Sequence, residues 1–139
     1  MIVLDTNVIS ELSKADPDAT VADWFRRVDP LELYLCTPVV AELAYGGERI
    51  RLRNSSDRFL KALNGLLEDT FKDRVLPFDQ RAALRFGAVR AAREAVGRPI
   101  SVMDAMIAAI CSVHGAALAT RNVRDFDDLD LDLANPFEA

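Results

Sequence analysis

Histidine is nearly absent: the 139 residues contain one, His114. One imidazole cannot build a multi-histidine zinc site, and it leaves almost no room for Ser-His-Asp or Cys-His machinery. Cysteine is almost as scarce. Cys36 and Cys111 lie inside apolar stretches and read as buried free thiols of a cytoplasmic protein rather than as a disulfide framework. No apolar run approaches the roughly 18 residues of a membrane span. The N-terminus, MIVLDTN, lacks a basic region and has an acid at position 5, unlike a signal peptide. Positive charge is also short. The net charge of −5 argues against broad electrostatic attraction to nucleic acid. Of the 17 basic residues 14 are arginine, which suits bidentate phosphate or carboxylate contacts but which, with abundant alanine, a GC-rich genome also explains. What remains is 50% hydrophobic and 28% charged, enough for one domain over residues 1–139 with one substantial core.

Short β-branched runs alternate with longer helical ones, without internal repeat or linker. This predicts an α/β fold with a central, mostly parallel sheet of four or five strands. Ile2–Leu4 is apolar without alternation, as in a central strand covered on both faces. Helices are expected over Val8–Ser13 and from Asp16-Pro17-Asp18 to about Val28, then a strand over Leu33–Cys36. Thr37 is expected to cap a helix that carries Pro38 in its first turn and runs to about Arg53. After a break at Asn54–Asp57, Phe59, Leu60, Leu63, Leu66 and Leu67 recur at helical spacing. Val75–Phe78 is the third expected strand. Asp79 then caps an alanine-rich helix ending near Gly97, and Ser101 caps one ending at His114-Gly115, where His114 complements the helix C-terminus. Ala117–Thr120 and Leu131–Leu133 are the last expected strands. Trp24 and Phe25 read as core or dimer surface.

In open parallel sheets ligands bind beyond the carboxyl ends of the strands. Asp5 ends the first strand, Glu42 lies one turn into the helix after the second, and Asn122 and Asp125 follow the fourth. Asp104 opens the helix that feeds that fourth strand. Each has a simple structural explanation: Asp5 as a helix cap, Glu42 as a complement to the macrodipole, Asp104 as the far half of a capping box with Ser101. Their joint placement on one rim is the stronger signal. Asp104 is bracketed by apolar residues, and a buried carboxylate needs a partner or a metal.

The segments MIVLDTNVIS, TPVVAELAYG, ISVMDAMIAA and LATRNVRDF, in this order and spacing, resemble the four signature blocks of PIN-domain nucleases. Within that group they are similar to the VapC-type toxins of bacterial toxin–antitoxin pairs, including the FitB-like branch. The resemblance covers essentially the whole chain. It implies a PIN-like three-layer α/β/α sandwich and a magnesium-dependent ribonuclease, with manganese as the substitute ion, that hydrolyses RNA phosphodiester bonds. It also implies a homodimer held inactive by a cognate VapB-like antitoxin. Carried over by position, Asp5 and Asp104 match the principal metal-coordinating acids and Glu42 the third. Asn7 and Thr120 match residues that support the acids through hydrogen bonds. The chain departs from the pattern at the fourth acid, where Thr120-Arg121-Asn122 replaces T-x-D. Many relatives carry Asn there, and Asp125 can supply the carboxylate.

The residue types suit the implied chemistry. Phosphodiester hydrolysis needs an activated water and a stabilised leaving oxygen, and magnesium takes carboxylate and water oxygens. Asp5 and Asp104 are expected to hold the ion, and Glu42 to orient or deprotonate the attacking water. Setting aside Asp5, Glu42, Asp104 and Asp125 moves the net charge from −5 to −1. RNA is then expected to meet a local arginine set, Arg49, Arg51, Arg121 and Arg124. The rival from another class is a catalytically weak PIN-like module that binds RNA or protein without cutting, favoured by Asn122. A DNA-acting nuclease of the same fold is a second rival. A phosphatase with a nucleophilic Asp5 is disfavoured by Asn7, where such sites place a second acid.

Overall fold

The structure, a computed structural model, describes residues 1–138. Five strands, β1 (Ile2–Leu4), β2 (Leu33–Cys36), β3 (Val75–Leu76), β4 (Ala117–Ala119) and β5 (Leu133–Ala134), form one sheet in the order β3-β2-β1-β4-β5. Every pairing is parallel. The helices are α1 (Thr6–Leu12), α2 (Ala19–Arg27), α3 (Thr37–Asn54), α4 (Arg58–Gly65), α5 (Gln80–Ala95) and α6 (Val102–His114). Crossovers between parallel strands are right-handed. The chain moves outward from β1 through β2 to β3 and then returns past β1 to β4. That reversal puts α1–α4 on one face of the sheet and α5–α6 on the other, giving the expected α/β/α sandwich.

Val3, Leu4, Leu35, Leu118 and Ala119 are fully buried, as strands covered on both faces must be. Across the sheet α6 buries Ala105, Ile107, Ala108, Ala109, Ile110 and Cys111, and its run of small residues lets it lie close. Trp24 and Phe25 meet edge-on at 5.2 Å and pack, partly buried, against the core. No helix among the described residues is long and apolar enough to cross a membrane.

Most element boundaries follow the sequence, and the exceptions have local causes. The first helix begins at Thr6 rather than Val8 because Asp5 caps it, accepting from the Thr6 amide. Thr37 is not a cap: it is the first residue of α3, and its hydroxyl accepts from the Phe78 amide at 2.9 Å. The third strand stops at Leu76, because Pro77 has no N–H to donate. α4 widens into a π-helical turn over Leu66–Thr70. The last strand lies at Leu133–Ala134, after Asp130 takes a left-handed turn (φ 54°). Gly115, at φ 61°, ends α6 as expected.

Beyond β4 the chain runs over the rim, and an arginine from α5 anchors it. Arg93 is 5% exposed. Its Nε donates to the Arg98 carbonyl at 2.8 Å, while Nη1 donates to the Asp125 carbonyl at 2.9 Å and pairs with Asp128 at 3.0 Å. Exposed Arg98 reinforces the same segment through Asp127 and Asp128. Arg93→Met should lower the unfolding free energy by about 2 kcal/mol in urea denaturation, because it leaves the Arg98 and Asp125 carbonyls without their buried donor. Arg98→Met, at a solvated pair, should shift the midpoint far less.

Candidate active site

The strand order reverses between β1 and β4, and in such sheets that switch point opens a crevice at the carboxyl ends. Asp5 stands there. Its amide donates to the Ala119 carbonyl at 2.9 Å, extending the β1–β4 ladder by one residue. The residue is 6% exposed. Three donors converge on its carboxylate: the Thr6 amide on Oδ1 at 2.8 Å, and the Thr120 hydroxyl and Asn7 side-chain amide on Oδ2 at 2.7 and 3.3 Å. Burial still outweighs them. Loss of hydration holds the Asp5 carboxyl above its ordinary pKa, and the charge of Glu42 adds to the effect.

Asn7 and Thr120 also reach the loop after β4. Asn7 Oδ1 accepts from the Arg121 amide, and Thr120 Oγ1 from the Asn122 amide, each at 3.1 Å. Both thus couple Asp5 to the segment carrying Asn122 and Asp125. Glu42 enters from α3, and the Thr6 hydroxyl donates to its Oε2. Thr6 is the participant that sequence reasoning missed. The available signal was a hydroxyl placed directly after an acid at a strand end.

Asp104 lies in the first turn of α6, half-buried, with its amide capped by Ser101 Oγ at 3.1 Å. The reciprocal half of the expected capping box, carboxylate to Ser101 amide, is not formed among the described residues. The carboxylate is left to its surroundings instead. Burial first, then the negative charges of Asp5, Asp125 and Glu42, push its pKa up to about 6, against a lowering by the Ser101 hydroxyl. Asp125 is exposed at the end of a short turn, Val123–Asp125, and its carbonyl is the one Arg93 holds. Asn122, beside it, helps line a cavity of about 330 Å³ with Arg121, Arg124 and Asp125.

Acids from four distant segments are therefore close enough to perturb one another. Among the described residues, however, no three His, Cys, Asp or Glu side chains approach closely enough to form a ready-made ion shell. Two thiols lie nearby. Burial, with the charges of Asp5 and Glu42, raises Cys36 to about 12, and burial raises Cys111 as well. Both stay neutral at physiological pH, so the donors on offer are carboxylate and amide oxygens. Such a set fits a hard divalent cation and not zinc.

The expected arginine set divides. Arg121 and Arg124 border the site. Arg49 and Arg51 lie about 10–13 Å further along α3 than Glu42, with Arg51 paired to Glu48 and Arg49 over the Tyr45 ring.

The PIN domain family profile matches residues 2–131. A protein of Sinorhizobium fredii named VapC ribonuclease Y4jK is 39% identical over 99% of both chains. Toxin FitB of Neisseria gonorrhoeae is 31% identical over 99% of both. The crystal structure of FitAcB from Neisseria gonorrhoeae superposes with a TM-score of 0.87 at 31% identity, covering all of both chains.

A pH dependence follows from Asp104. Its folded-state pKa, about 6, lies above the ordinary 3.8. Its favourable contribution is thus fully present below pH 3.8 and lost as pH rises through 6. Metal-free Asp104→Asn protein should be more stable than wild type at pH 7.5, on the order of 2 kcal/mol after allowing for partial exposure. The difference should vanish near pH 4. Thermal melts in EDTA across this range check it.

Proposed function

The chain belongs to the PIN-domain family, and from that premise we propose that it is the toxin of a type II toxin–antitoxin pair, a magnesium-dependent ribonuclease whose single PIN domain spans residues 1–139. The observation that carries this reading is the gathering of Asp5, Glu42, Asp104 and Asp125 around one rim, with Asp104 raised by burial and then by the other three.

Asp5 and Asp104 would hold the divalent ion. Manganese would replace magnesium, since both take oxygen donors. When bound, such an ion supplies positive charge for phosphate oxygens and a more acidic water. Asp5 is the fixed member, its orientation set by Thr6, Asn7 and Thr120. Glu42, steadied by Thr6, orients the attacking water or takes its proton. Asp125 provides the fourth carboxylate from the segment that Arg93 anchors, and Asn122 provides a neutral carbonyl.

The relatives named VapC ribonuclease and Toxin FitB support the nuclease and toxin assignments. A VapB-like antitoxin is the expected partner, inserting an arginine among the acids, where a guanidinium pairs strongly with carboxylates. A homodimer agrees with the large apolar side chains left in solvent on α3 and α5, among them Tyr45, Leu52 and Leu84. The two free thiols and an RNA substrate fit a cytoplasmic location.

A second reading, a PIN-like module that binds RNA or protein without cutting, is favoured by Asn122. Turnover separates the two. Protein freed of antitoxin should cleave RNA in magnesium and stop in EDTA, and Asp5→Asn should lower the rate at least about 100-fold. Magnesium should raise the melting temperature of wild type and not of Asp5→Asn. An Asp5→Asn variant that cleaves as fast as wild type would overturn the assignment.

A further inference from the structure

We propose that Arg121, backed by Phe137, is a stacking platform for one unpaired base of the RNA next to the cleaved bond; this rests on the ribonuclease reading above. The Arg121 guanidinium lies 4.3 Å from the centroid of the Phe137 ring. Its backbone is fixed on both sides. The Arg121 amide donates to Asn7, which itself donates to the Asp5 carboxylate. The Arg121 carbonyl accepts from Asn135 Nδ2 at 3.4 Å, and Asn135 Oδ1 accepts from the Phe137 amide at 3.0 Å. The arginine and the aromatic behind it are thus tied to each other and, two hydrogen bonds away, to the buried acid.

The charge pattern argues that the platform takes a base rather than a phosphate. Arg93, Arg98, Arg51, Arg26 and Arg90 pair with acids, whereas Arg121 makes no ion pair among the described residues. Yet the cavity it borders, about 330 Å³, is walled by two cations, Arg121 and Arg124, and two acids, Asp125 and Glu138. Such a cavity has little net charge to draw a second phosphate. A planar neutral group loses nothing there and gains the outer face of a guanidinium already held by an aromatic. Proteins that read single-stranded RNA stack bases on aromatic rings and arginine planes in this way.

Arg121→Lys keeps the charge and removes the plane, and since Arg121 is exposed the fold is not at stake, which a thermal melt confirms. The substrate is an RNA oligonucleotide that wild type cleaves at one mapped bond, with versions abasic at each flanking position in turn. Wild type should lose about tenfold in kcat/KM, mostly through KM, when one position beside the cut is abasic. Arg121→Lys should be about tenfold down on the intact RNA and lose no more on that abasic one. An Arg121→Lys variant equal to wild type overturns the platform while leaving the nuclease intact. So does a variant that suffers the same further loss on the abasic RNA, which reduces Arg121 to a charge. A wild type that cleaves no RNA overturns the ribonuclease reading, and the platform with it.

Discussion

Everything at the rim depends on a charge held where water cannot reach it well. Asp5 is carried to the end of the central strand by the β1–β4 ladder and accepts three hydrogen bonds there, one of them from Thr120, 115 residues away. A buried carboxylate needs such donors, yet in this site they only reduce the penalty, since its pKa remains raised. Burial first, and then the negative charge of Asp5, also raise Asp104 and the Cys36 thiol. A site of this kind is unfavourable to the metal-free fold and favourable to any cation that enters.

That constraint explains the architecture around it. Thr6 makes two bonds toward acids, Asn7 and Thr120 one each, and Asn7 and Thr120 make a second toward the next loop. The polar groups thus form a continuous chain from β1 through β4 to the rim. No buried side-chain nitrogen or oxygen among the described residues lacks a partner, which is what a charged site must achieve before it is stable enough to use.

The sheet was legible because its strands are short, apolar and punctuated, and the rim placement of Asp5, Glu42 and Asp104 was read from a strand end and from the first turns of two adjoining helices. Boundaries failed where long-range contacts override local propensity. Thr37 has the right chemistry for a cap, but Phe78, 41 residues on, claims its hydroxyl. Ser101 and Asp104 have capping-box spacing, but the acid's setting is decided by burial first and then by charges from three other segments. Arg93 reads from sequence as one more arginine on an exposed alanine-rich helix. Its burial and its grip on Asp125 are tertiary facts with no local signature. The arginine set was half legible for the same reason: distance along α3 is readable, but the Glu48 and Tyr45 partners that occupy Arg51 and Arg49 are not specific signals.

Asn122 in place of an acid is the feature that most favours a module that binds without cutting, and the geometry weakens that argument. An acid at 122 would sit on a residue whose amide is already tied to Thr120. The acid the chain has instead, Asp125, lies at the end of the next turn, its carbonyl fixed by a buried arginine. The charge of Asp125 reaches Asp104. The substitution at 122 therefore leaves a carboxylate within electrostatic reach of Asp104, at Asp125.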